Sequence, residues 1–506
     1  SIFQDCIYYN EENTEEMRIC IHSQLQQFLH ENLTVKVIEN LKLKDFQLYL
    51  LHIVEGVCWD YKNVEYFAIE FDDDEQEEDD YYDDNDQELE EEQIINGNKF
   101  TVPKSITLSD PSIIKVLSPL SNFLLSKGLD MFVEIGNYLY WYLKVQLLYS
   151  NKIQELIDSY EFELTGEEKT ILSLQKEFIG KIDSVNQTMK TYVIGSIKNM
   201  SKQEYLEYLI NKDLNSFIKI ENQKNDFLRL PILPNYKVIK INSNDCKIFK
   251  SSLQPIKLSF ILEELSSNTI REYSVIYKNG DDLKQDQLIS NIIKIMDSLL
   301  LEENVNLNIK TYDILPMGLN MGMIEFIESD TVSNILSNDS SIKNFLRKKQ
   351  EQVDPSGSEV TNVFIKSTAA YSVITYLLGI GDRHLENLLI TPKGEFFHAD
   401  FGYILGNDPK LFPPLMKLPP QIVEGFGGTK DNNAKYDEFR GYCFVCFLIL
   451  RRNSSLLIDL FKFIDLNSIP IAMRTATKGK SNALEIANNT NCLLYTSDAA
   501  DELDGV

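Results

Sequence analysis

The chain has 506 residues and a formal net charge of −28, and 43% of its residues are hydrophobic. The length and apolar content predict several compact domains, the acidic balance argues against nucleic acid as the main partner, and the apolar runs are too short to cross a bilayer. Seven scattered cysteines favour reduced thiols in the cytosol over a disulfide framework.

Two stretches, 1–70 and 105–215, are predicted to be helical because apolar residues recur at i, i+3, i+4 and i+7. Between them, an acidic run at 72–92 holds fifteen carboxylates and neither lysine nor arginine. Like charges at this density cannot bury a core, so the run is predicted to be a disordered surface loop. A calcium site is the alternative, but the run lacks the spacing of a calcium loop.

After about residue 230, short runs rich in β-branched and aromatic residues predict an antiparallel sheet. These runs are NYKVIKI, CKIFKSS, IKLSFIL, EYSVIYK, NIKTYDIL and MGMIEFIES. A predicted helix, DLKQDQLISNIIKIMDSLLLEEN, lies between the fourth and fifth runs. Helices dominate again from residue 331, and a proline-rich loop covers 409–420. This order predicts a β-rich lobe followed by a helical lobe.

Polar residues are concentrated around two short apolar runs in GDRHLENLLITPKGEFFHADFG, residues 381–402. The runs LLIT and FFHA are predicted to form a hairpin that turns at Lys393–Gly394 and places Leu389 opposite His398. The same register places Asn387 opposite Asp400, with their Cα atoms about 5 Å apart. An amide oxygen beside a carboxylate, without a full protein cage, suits Mg²⁺ shared with a phosphate.

The start of the same stretch supplies candidates for proton transfer. Asp382 lies five residues before Asn387, the separation found in the catalytic loop of protein kinases, although the motif here runs Asp-Arg-His and not His-Arg-Asp. Phosphoryl transfer needs positioning, charge neutralisation and a group that accepts the hydroxyl proton. Asp382 is one candidate base and His384 is another, and the sequence leaves the choice open.

Two upstream segments are candidates for contacting phosphates. Lys278 ends the predicted strand EYSVIYK, and the alternative reading is an ordinary lysine at a strand end. The loop KSSLQP (250–255) lacks the GxGxxG pattern of protein kinases. The hydroxyls and backbone N–H groups of Ser251 and Ser252 are its candidate phosphate ligands.

Five motifs together resemble the phosphatidylinositol 3-kinases: VIYKNGDDLKQDQLI, GDRHLENLLI, HADFGYILG, PPLMKL and VEGFGG. The segment PKLFPPLMKL is typical of class III, which acts on phosphatidylinositol in endosomal and autophagic traffic. The resemblance covers about 230–475 and extends more weakly into the preceding helices. It implies an α+β fold, with a two-lobed protein-kinase-like catalytic domain preceded by an all-α, solenoid-like helical domain. The expected domains are a helical (accessory) domain at 1–190, the kinase N-lobe at 191–327 and the C-lobe at 328–490.

The resemblance also implies roles for single residues. Lys278 would contact the phosphates of ATP, Asn387 and Asp400 would bind Mg²⁺ or Mn²⁺, and Asp382 and His384 would act on the inositol 3-hydroxyl. The adenine pocket would be lined by Ile276, Tyr312, Phe326, Ile327 and Leu389.

Residues 400–428 would form an activation loop that reads the lipid headgroup. Within it, Lys410 and Lys417 would face phosphate oxygens or an anionic bilayer, with ordinary solvated lysines as the alternative. The implied function is transfer of the ATP γ-phosphate to the 3-hydroxyl of phosphatidylinositol, at the cytoplasmic surface of endosomal and autophagic membranes. A large regulatory protein subunit is the implied partner.

Two alternatives stay open at the level of sequence. One is a phosphatidylinositol 4-kinase or a related protein kinase. The other is a catalytically weak, truncated scaffold, because the chain is expected to be shortened at both ends. Residues 491–506 resemble a foreign tail and the C-lobe is expected to be incomplete, which predicts low activity for residues 1–506 alone.

Overall fold

The computed structural model describes residues 42–72, 91–95, 98–102, 119–147, 151–193, 200–224, 226–353, 357, 359–410, 414, 416, 418–429 and 433–462. Most of the predicted acidic loop, Lys417 and the predicted foreign tail therefore lie outside the described residues. The described residues fall into two compact units. The first comprises the described parts of Ser1–Gly136 and Ser150–Glu163, and the second comprises those of Asn137–Tyr149 and Leu164–Val506.

The described residues up to 223 are mainly helical, as the periodicity predicts, whereas the predicted helical stretches at 1–41 and 105–118 lie outside the described residues. The helices are α1 (Leu43–Asp72), α2 (Pro119–Asp130), α3 (Asn137–Gln146), α4 (Asn151–Glu163), α5 (Gly166–Thr191), α6 (Lys202–Leu209) and α7 (Ser216–Gln223). Short π-helical turns, Phe132–Gly136 and Ile210–Asn215, precede α3 and α7. Of these helices, α1, α2 and α4 belong to the first unit and the others to the second.

The helical region also contains a hairpin that the sequence analysis missed. Strands β1 (Glu91–Ile95) and β2 (Asn98–Val102) pair in antiparallel fashion. Glu91 and Glu92 belong to the predicted acidic loop, yet they lie in β1. The hairpin was missed because β1, with the sequence EEQII, begins with two carboxylates that belong to the acidic run. The composition of that run favoured a loop over a strand.

Helix α5 begins at a capping box. The Thr165 side chain accepts the backbone N–H of Glu168, and the Glu168 side chain accepts the N–H of Thr165 in return. Behind this cap, α5 buries apolar residues at helical spacing, among them Phe178, Ile182 and Met189. The same helix also buries Asn186, a polar residue.

The β-rich lobe is an antiparallel sheet with the strand order β3-β4-β6-β7-β9-β8, and β5 pairs with β6. Its strands are β3 (Arg229–Leu230), β4 (Leu233–Ile241), β5 (Lys247–Ile248), β6 (Ile256–Glu264), β7 (Ile270–Asn279), β8 (Ile314–Gly318) and β9 (Met321–Glu325). Helix α8 (Lys284–Glu302) follows β7, where a helix is predicted, and packs on β8.

Two of the six predicted strands are much shorter than expected. In CKIFKSS only Lys247–Ile248 is a strand, and in NIKTYDIL only the last two residues are. Asn308 has a φ of 53°, in the left-handed region, which interrupts an extended backbone. The carbonyl of Tyr312 accepts the hydroxyl of Ser290 on α8 at 2.6 Å, so a helix and not a neighbouring strand satisfies it.

The second lobe is built on helices and one small sheet. The helices are α9 (Val332–Asp339), α10 (Ile342–Val353), α11 (Glu359–Leu377), α12 (Pro420–Gly425), α13 (Ala434–Arg452) and α14 (Ser454–Lys462), and the sheet contains β10 (Asp330–Thr331), β11 (Leu388–Ile390) and β12 (Phe396–His398). Helix α11 is buried along most of its length and packs against α13 and β12. The expected α+β fold, with a helical region before a kinase-like catalytic domain, is confirmed. No helix among the described residues is long and apolar enough to span a bilayer.

Candidate active site

The hairpin β11–β12 pairs its strands one residue away from the predicted register. Leu388, and not Leu389, lies opposite His398. The backbone N–H of Thr391 donates to the carbonyl of Glu395 at 3.0 Å, which leaves a three-residue loop in place of the predicted two-residue turn. Gly394 closes this loop with a φ of 89°, a conformation that favours glycine.

The slip makes the predicted Asn387–Asp400 pairing wrong, but both residues still lie at the open end of the hairpin. The carbonyl of Asn387 accepts the N–H of Ala399 at 3.1 Å, so Asp400 is one residue beyond its predicted partner. The Nδ2 atom of Asn387 donates to the carbonyl of Asp382 at 3.0 Å, which leaves Oδ1 available as a ligand. Asp400 is exposed. This pair of hard oxygen donors fits Mg²⁺ or Mn²⁺ shared with phosphates.

Asp382 and Asp400 both have strained backbones. Their φ angles are 51° and 63°, in the left-handed region, which costs a non-glycine residue about 1–2 kcal/mol. Aspartate tolerates this region better than most residues. Strain of this kind persists only where the surroundings hold it. At Asp382 the backbone N–H is held by a carboxylate oxygen of Asp408 at 3.2 Å.

Arg383 joins the two strained segments, a role that the sequence analysis did not assign to it. Its guanidinium donates to the carbonyls of Gly381 and Ala399, both at 2.7 Å, and also to the carbonyl of Asp400. The residue is only 7% exposed. Burial lowers its pKa, and the nearby carboxylates of Asp400 and Asp382 oppose that shift. The signal for this role in the sequence was the position of Arg383 in the DRH motif, between the two candidate bases.

Lys278 ends β7 close to several carboxylates. Its Nζ lies 3.0 Å from Oδ2 of Asp281. Burial alone would lower the pKa of Lys278, but the charges of Asp286, Asp281 and Asp400 outweigh burial and raise it. Lys278 from the β-rich lobe and Asp400 from the helical lobe therefore lie within electrostatic reach of each other. The fold thus brings together the predicted phosphate-binding lysine and a predicted metal ligand.

Asp286, in the first turn of α8, is a buried site residue that the sequence analysis missed. Its Oδ1 accepts the backbone N–H of Phe401 at 2.8 Å, and Nε2 of Gln285 donates to the Phe401 carbonyl at 2.5 Å. The start of α8 thereby holds the residue that follows Asp400. Burial raises the pKa of Asp286 to about 6, against the opposing charge of Lys278. The motif DLKQDQLI contained the signal, a carboxylate in the polar first turn of a helix whose later positions carry apolar residues at helical spacing.

We expect Asp286→Asn to change how stability depends on pH. The pKa of Asp286 is higher in the folded protein than in the unfolded chain, so the native protein binds the extra proton, and this contribution to stability is lost as pH rises from about 4 through 6. A pKa difference of about 2 between the folded and unfolded states corresponds to about 3 kcal/mol. Urea unfolding at pH 4.5, 5.5 and 6.5 should show the variant gaining stability relative to the parent chain as pH rises.

The control for this experiment is Asp437→Asn, which alters an exposed aspartate on α13. Its stability should follow that of the parent chain across the same pH range. Parallel curves for the parent and Asp286→Asn would contradict the assignment of a buried, proton-binding carboxyl at Asp286.

Four of the five residues predicted to line an adenine pocket lie on β7, on β11 and directly after β9. Ile276 lies on β7, opposite Ile324 of β9, and Leu389 lies on β11. Phe326 and Ile327 follow β9 directly, and the N–H of Phe326 donates to the carbonyl of Ser274 at 2.9 Å. These four predicted residues are half-buried. Half-burial is expected of side chains that face a cleft.

Tyr312, the fifth predicted pocket residue, is buried beside the metal-ligand segment. Its hydroxyl donates to the carbonyl of His398 at 3.3 Å, and its ring lies nearly parallel to that of Phe401, with centroids 6.5 Å apart. Burial raises the pKa of Tyr312 well above its usual value, so the phenol stays protonated and remains a donor. Tyr312 therefore also supports the segment that carries Asp400.

The two histidines of residues 381–402 have different environments. His384 is 48% exposed, its Nε2 lies 4.0 Å from Oδ2 of Asp382, and its Nδ1 accepts the N–H of Glu386 at 3.3 Å. His398 is fully buried and stacks on Tyr371, with ring centroids 5.0 Å apart. Burial lowers the pKa of His398 well below its usual value and Arg383 adds to the shift, so His398 is neutral.

The remaining predicted site residues that the structure describes, Ser251, Ser252 and Lys410, are exposed and lie outside helices and strands. Ser251 and Ser252 are exposed after β5. Lys410 is also exposed, and its backbone N–H donates to Oδ1 of Asp408 at 2.9 Å. Asp408 also accepts the backbone N–H of Asp382, so the start of the predicted activation loop is hydrogen-bonded to the predicted catalytic loop.

Comparison with known proteins identifies relatives for most of the chain. Residues 272–470 match the family model described as "Phosphatidylinositol 3- and 4-kinase". The chain is 37% identical to "Phosphatidylinositol 3-kinase VPS34" of Saccharomyces cerevisiae over 438 residues, which are 84% of this chain and 48% of the relative. It is 38% identical to "Phosphatidylinositol 3-kinase pik3" of Schizosaccharomyces pombe, over 70% of this chain and 44% of the relative.

A plant protein gives a similar match. The chain is 36% identical to "Phosphatidylinositol 3-kinase VPS34" of Arabidopsis thaliana, over 72% of this chain and 45% of the relative. The chain thus spans about half the length of the curated relatives that it matches. These matches confirm the resemblance to class III that the motifs indicated.

Proposed function

Since the chain belongs to the phosphatidylinositol 3- and 4-kinase family, we propose that it is a lipid kinase which transfers the γ-phosphate of ATP to the 3-hydroxyl of phosphatidylinositol. The product is phosphatidylinositol 3-phosphate. One observation carries the proposal: Lys278 and Asp286 of the β-rich lobe lie within electrostatic reach of Asp400 in the helical lobe. This is the arrangement that phosphoryl transfer needs, since its catalysis is mainly positioning and charge neutralisation.

In the proposed mechanism each residue has one task. Lys278 neutralises charge on the ATP phosphates. Asn387 and Asp400 would hold Mg²⁺ or Mn²⁺, which would supply further neutralisation of charge on the phosphates. Arg383 keeps the carbonyls of Ala399 and Asp400 against the catalytic loop. The 3-hydroxyl oxygen then forms a bond to the γ-phosphorus, the bond from that phosphorus to ADP breaks, and the hydroxyl proton passes to a base.

Asp382 is the base that we propose. Because Nδ1 of His384 accepts the N–H of Glu386, a neutral His384 carries its proton on Nε2. That nitrogen faces the carboxylate of Asp382 at 4.0 Å and is a donor in this state. Asp382 therefore offers a carboxylate oxygen that can accept the hydroxyl proton, and His384 is suited to orient it or to donate to the transferred phosphate.

The adenine, the lipid and the membrane would be recognised by neighbouring segments. We propose that Ile276, Phe326, Ile327 and Leu389 contact adenine, with Tyr312 behind them. The phosphates of ATP would also meet the loop that carries Ser251 and Ser252, which are exposed.

The activation loop would meet phosphatidylinositol in a membrane through its exposed residue Lys410 and through Lys417. Peripheral binding to endosomal and autophagic membranes from the cytoplasm, and a large regulatory protein subunit as partner, complete the proposal.

The competing activities differ in the hydroxyl that accepts the phosphate. A phosphatidylinositol 4-kinase or a protein kinase of the same family would use the same ATP machinery. The three relatives compared above are named as 3-kinases, which favours the 3-hydroxyl.

Product mapping decides between these activities. The chain is incubated with phosphatidylinositol vesicles, labelled ATP and either Mg²⁺ or Mn²⁺, and the position of the new phosphate is determined by chromatography of the deacylated lipid. We expect the label on the 3-position, and none without phosphatidylinositol or with both metals removed by a chelator. Label on the 4-position, or on added protein alone, would overturn the proposal.

A further inference from the structure

Helix α5 carries three polar side chains on one face: Asp183, Asn186 and Lys190. Their spacing of i, i+3 and i+7 places them on the same side of the helix. We refer to these three residues as the α5 polar row. All three form hydrogen bonds to the two segments that are proposed to contact the phosphates of ATP, which are the end of β7 and the loop at 250–255.

The first set of contacts involves the two residues on either side of Lys278 in the sequence. Oδ1 of Asp183 accepts the hydroxyl of Tyr277 at 3.0 Å and Nδ2 of Asn279 at 2.5 Å. Nζ of Lys190 donates to the carbonyl of Asn279 at 2.9 Å. Side chains alternate between the two faces of a strand, so Tyr277 and Asn279 lie on the face opposite Lys278. Holding both neighbours fixes the direction in which Lys278 leaves the strand.

The second set of contacts holds the loop at 250–255. Nδ2 of Asn186 donates to the backbone carbonyl of Gln254 at 3.3 Å, and Lys202 at the start of α6 donates to the Gln254 side chain at 2.6 Å. Gln254 has a φ of 47°, a left-handed conformation that needs support. The loop also touches the end of β7, since a Cβ added to Gly280 would lie 3.0 Å from Leu253.

The polar row is not needed to attach α5 to the sheet. Apolar residues such as Phe178 and Val185 already bury that helix. Asn186 is fully buried, and its Oδ1 has no hydrogen-bond partner among the described residues. A buried, half-satisfied amide costs stability. An apolar residue would serve simple packing better, so the row is better explained by what it orients.

We propose that the α5 polar row sets the affinity for the phosphates of ATP by fixing the 250–255 loop and Lys278 relative to each other. The three residues are positioning residues, because they act through Gln254, Tyr277 and Asn279 and do not touch the nucleotide. The inference rests on the proposed function in taking ATP as the phosphate donor and in placing Lys278 and the 250–255 loop against its phosphates. It also makes nucleotide affinity dependent on the placement of α5.

The test compares the binding of ATP and of adenosine to the full chain by titration calorimetry. Asp183→Ala removes both acceptor bonds and should weaken ATP binding about tenfold, since small displacements at a site have effects of this size or larger. Adenosine binding should stay within twofold, because adenosine has no phosphates. Asp183→Asn retains a carbonyl oxygen as acceptor and should restore most of the ATP affinity.

Asn215→Ala is the matched control. Asn215 also forms two hydrogen bonds from a helical segment to a strand of this sheet, with the N–H and the carbonyl of Ile241 on β4, at 2.7 and 3.0 Å. It should lower thermal stability as Asp183→Ala does, but it should leave ATP affinity unchanged.

Equal loss of ATP and adenosine affinity, or equal effects of the two alanine variants on ATP, would overturn the positioning role. The proposed function is tested separately in the same preparations, by the lipid product that the parent chain forms. A parent chain that binds ATP but forms no lipid product would count against the lipid kinase and leave the comparison of ATP with adenosine intact.

Discussion

Asp400→Ala should lower kcat for lipid phosphorylation by at least about 1,000-fold, because it removes the only negatively charged donor of the proposed metal pair. The side chain of Asp400 is exposed, and among the described residues its hydrogen bond is to the N–H of Gly402, at 3.2 Å. The fold should therefore survive, with only a small loss of thermal stability from placing alanine in the left-handed backbone of residue 400. Initial rates at saturating ATP and phosphatidylinositol measure the effect.

Asp400→Asn refines this test. Asparagine tolerates the left-handed backbone of residue 400 better than alanine does, and its Oδ1 can still accept the Gly402 N–H. If charge at the metal is what matters, both variants should be inactive. Asp437→Ala, at an exposed aspartate on α13, is the control and should keep full activity. Undiminished lipid product from either Asp400 variant would refute the proposed metal site.

Lys278→Met should lower kcat/KM for ATP by about 100- to 1,000-fold, the loss typical of removing one charge-stabilising donor. Methionine is similar in length and apolar, so the strand should keep its packing while the cation is lost. Asp281, Asp286 and Asp400, whose charges together raise the pKa of Lys278, would then face the ATP phosphates without a neutralising lysine. Steady-state kinetics with varied ATP measure the effect.

Lys237→Met is the matched control for this substitution. Lys237 lies on β4 of the same sheet and, like Lys278, is paired with a carboxylate, here Glu263 at 3.4 Å. Its loss removes the same charge from the sheet at a distance from the site, so kcat/KM should change by less than about twofold. Similar losses in the two variants would mean that Lys278 acts through general charge and not through contact with ATP.

Lys278→Met and Asp400→Ala affect opposite lobes, and the structure explains why each should cause a large loss of activity. Asp286 is close enough to Lys278 for their charges to interact, and it also accepts the N–H of Phe401, the residue after Asp400. A single buried carboxylate thus couples the lysine of the β-rich lobe to the metal-ligand segment. We therefore expect the effects of Lys278→Met and Asp400→Ala to be less than additive when combined.

The sequence by itself determined the family and supplied most of the residues of the proposed chemistry. Lys278, Asp382, Asn387 and Asp400 were singled out because their residue types and short-range spacing match what phosphoryl transfer requires. Periodicity also identified helices such as α8 and strands such as β7, because the hydrophobic pattern of a short segment indicates its secondary structure. The α+β class followed from the order of these elements.

Only the tertiary structure decided the register of the catalytic hairpin and the partners of the buried polar groups. The register depends on a three-residue loop that ends at Gly394, whereas the sequence predicted a two-residue turn at Lys393–Gly394. Arg383, Asp286 and the α5 polar row act on segments that no local pattern predicts to be neighbours. Such contacts depend on how the chain packs, and spacing along a single sequence carries no record of which distant backbone carbonyl a buried side chain will meet.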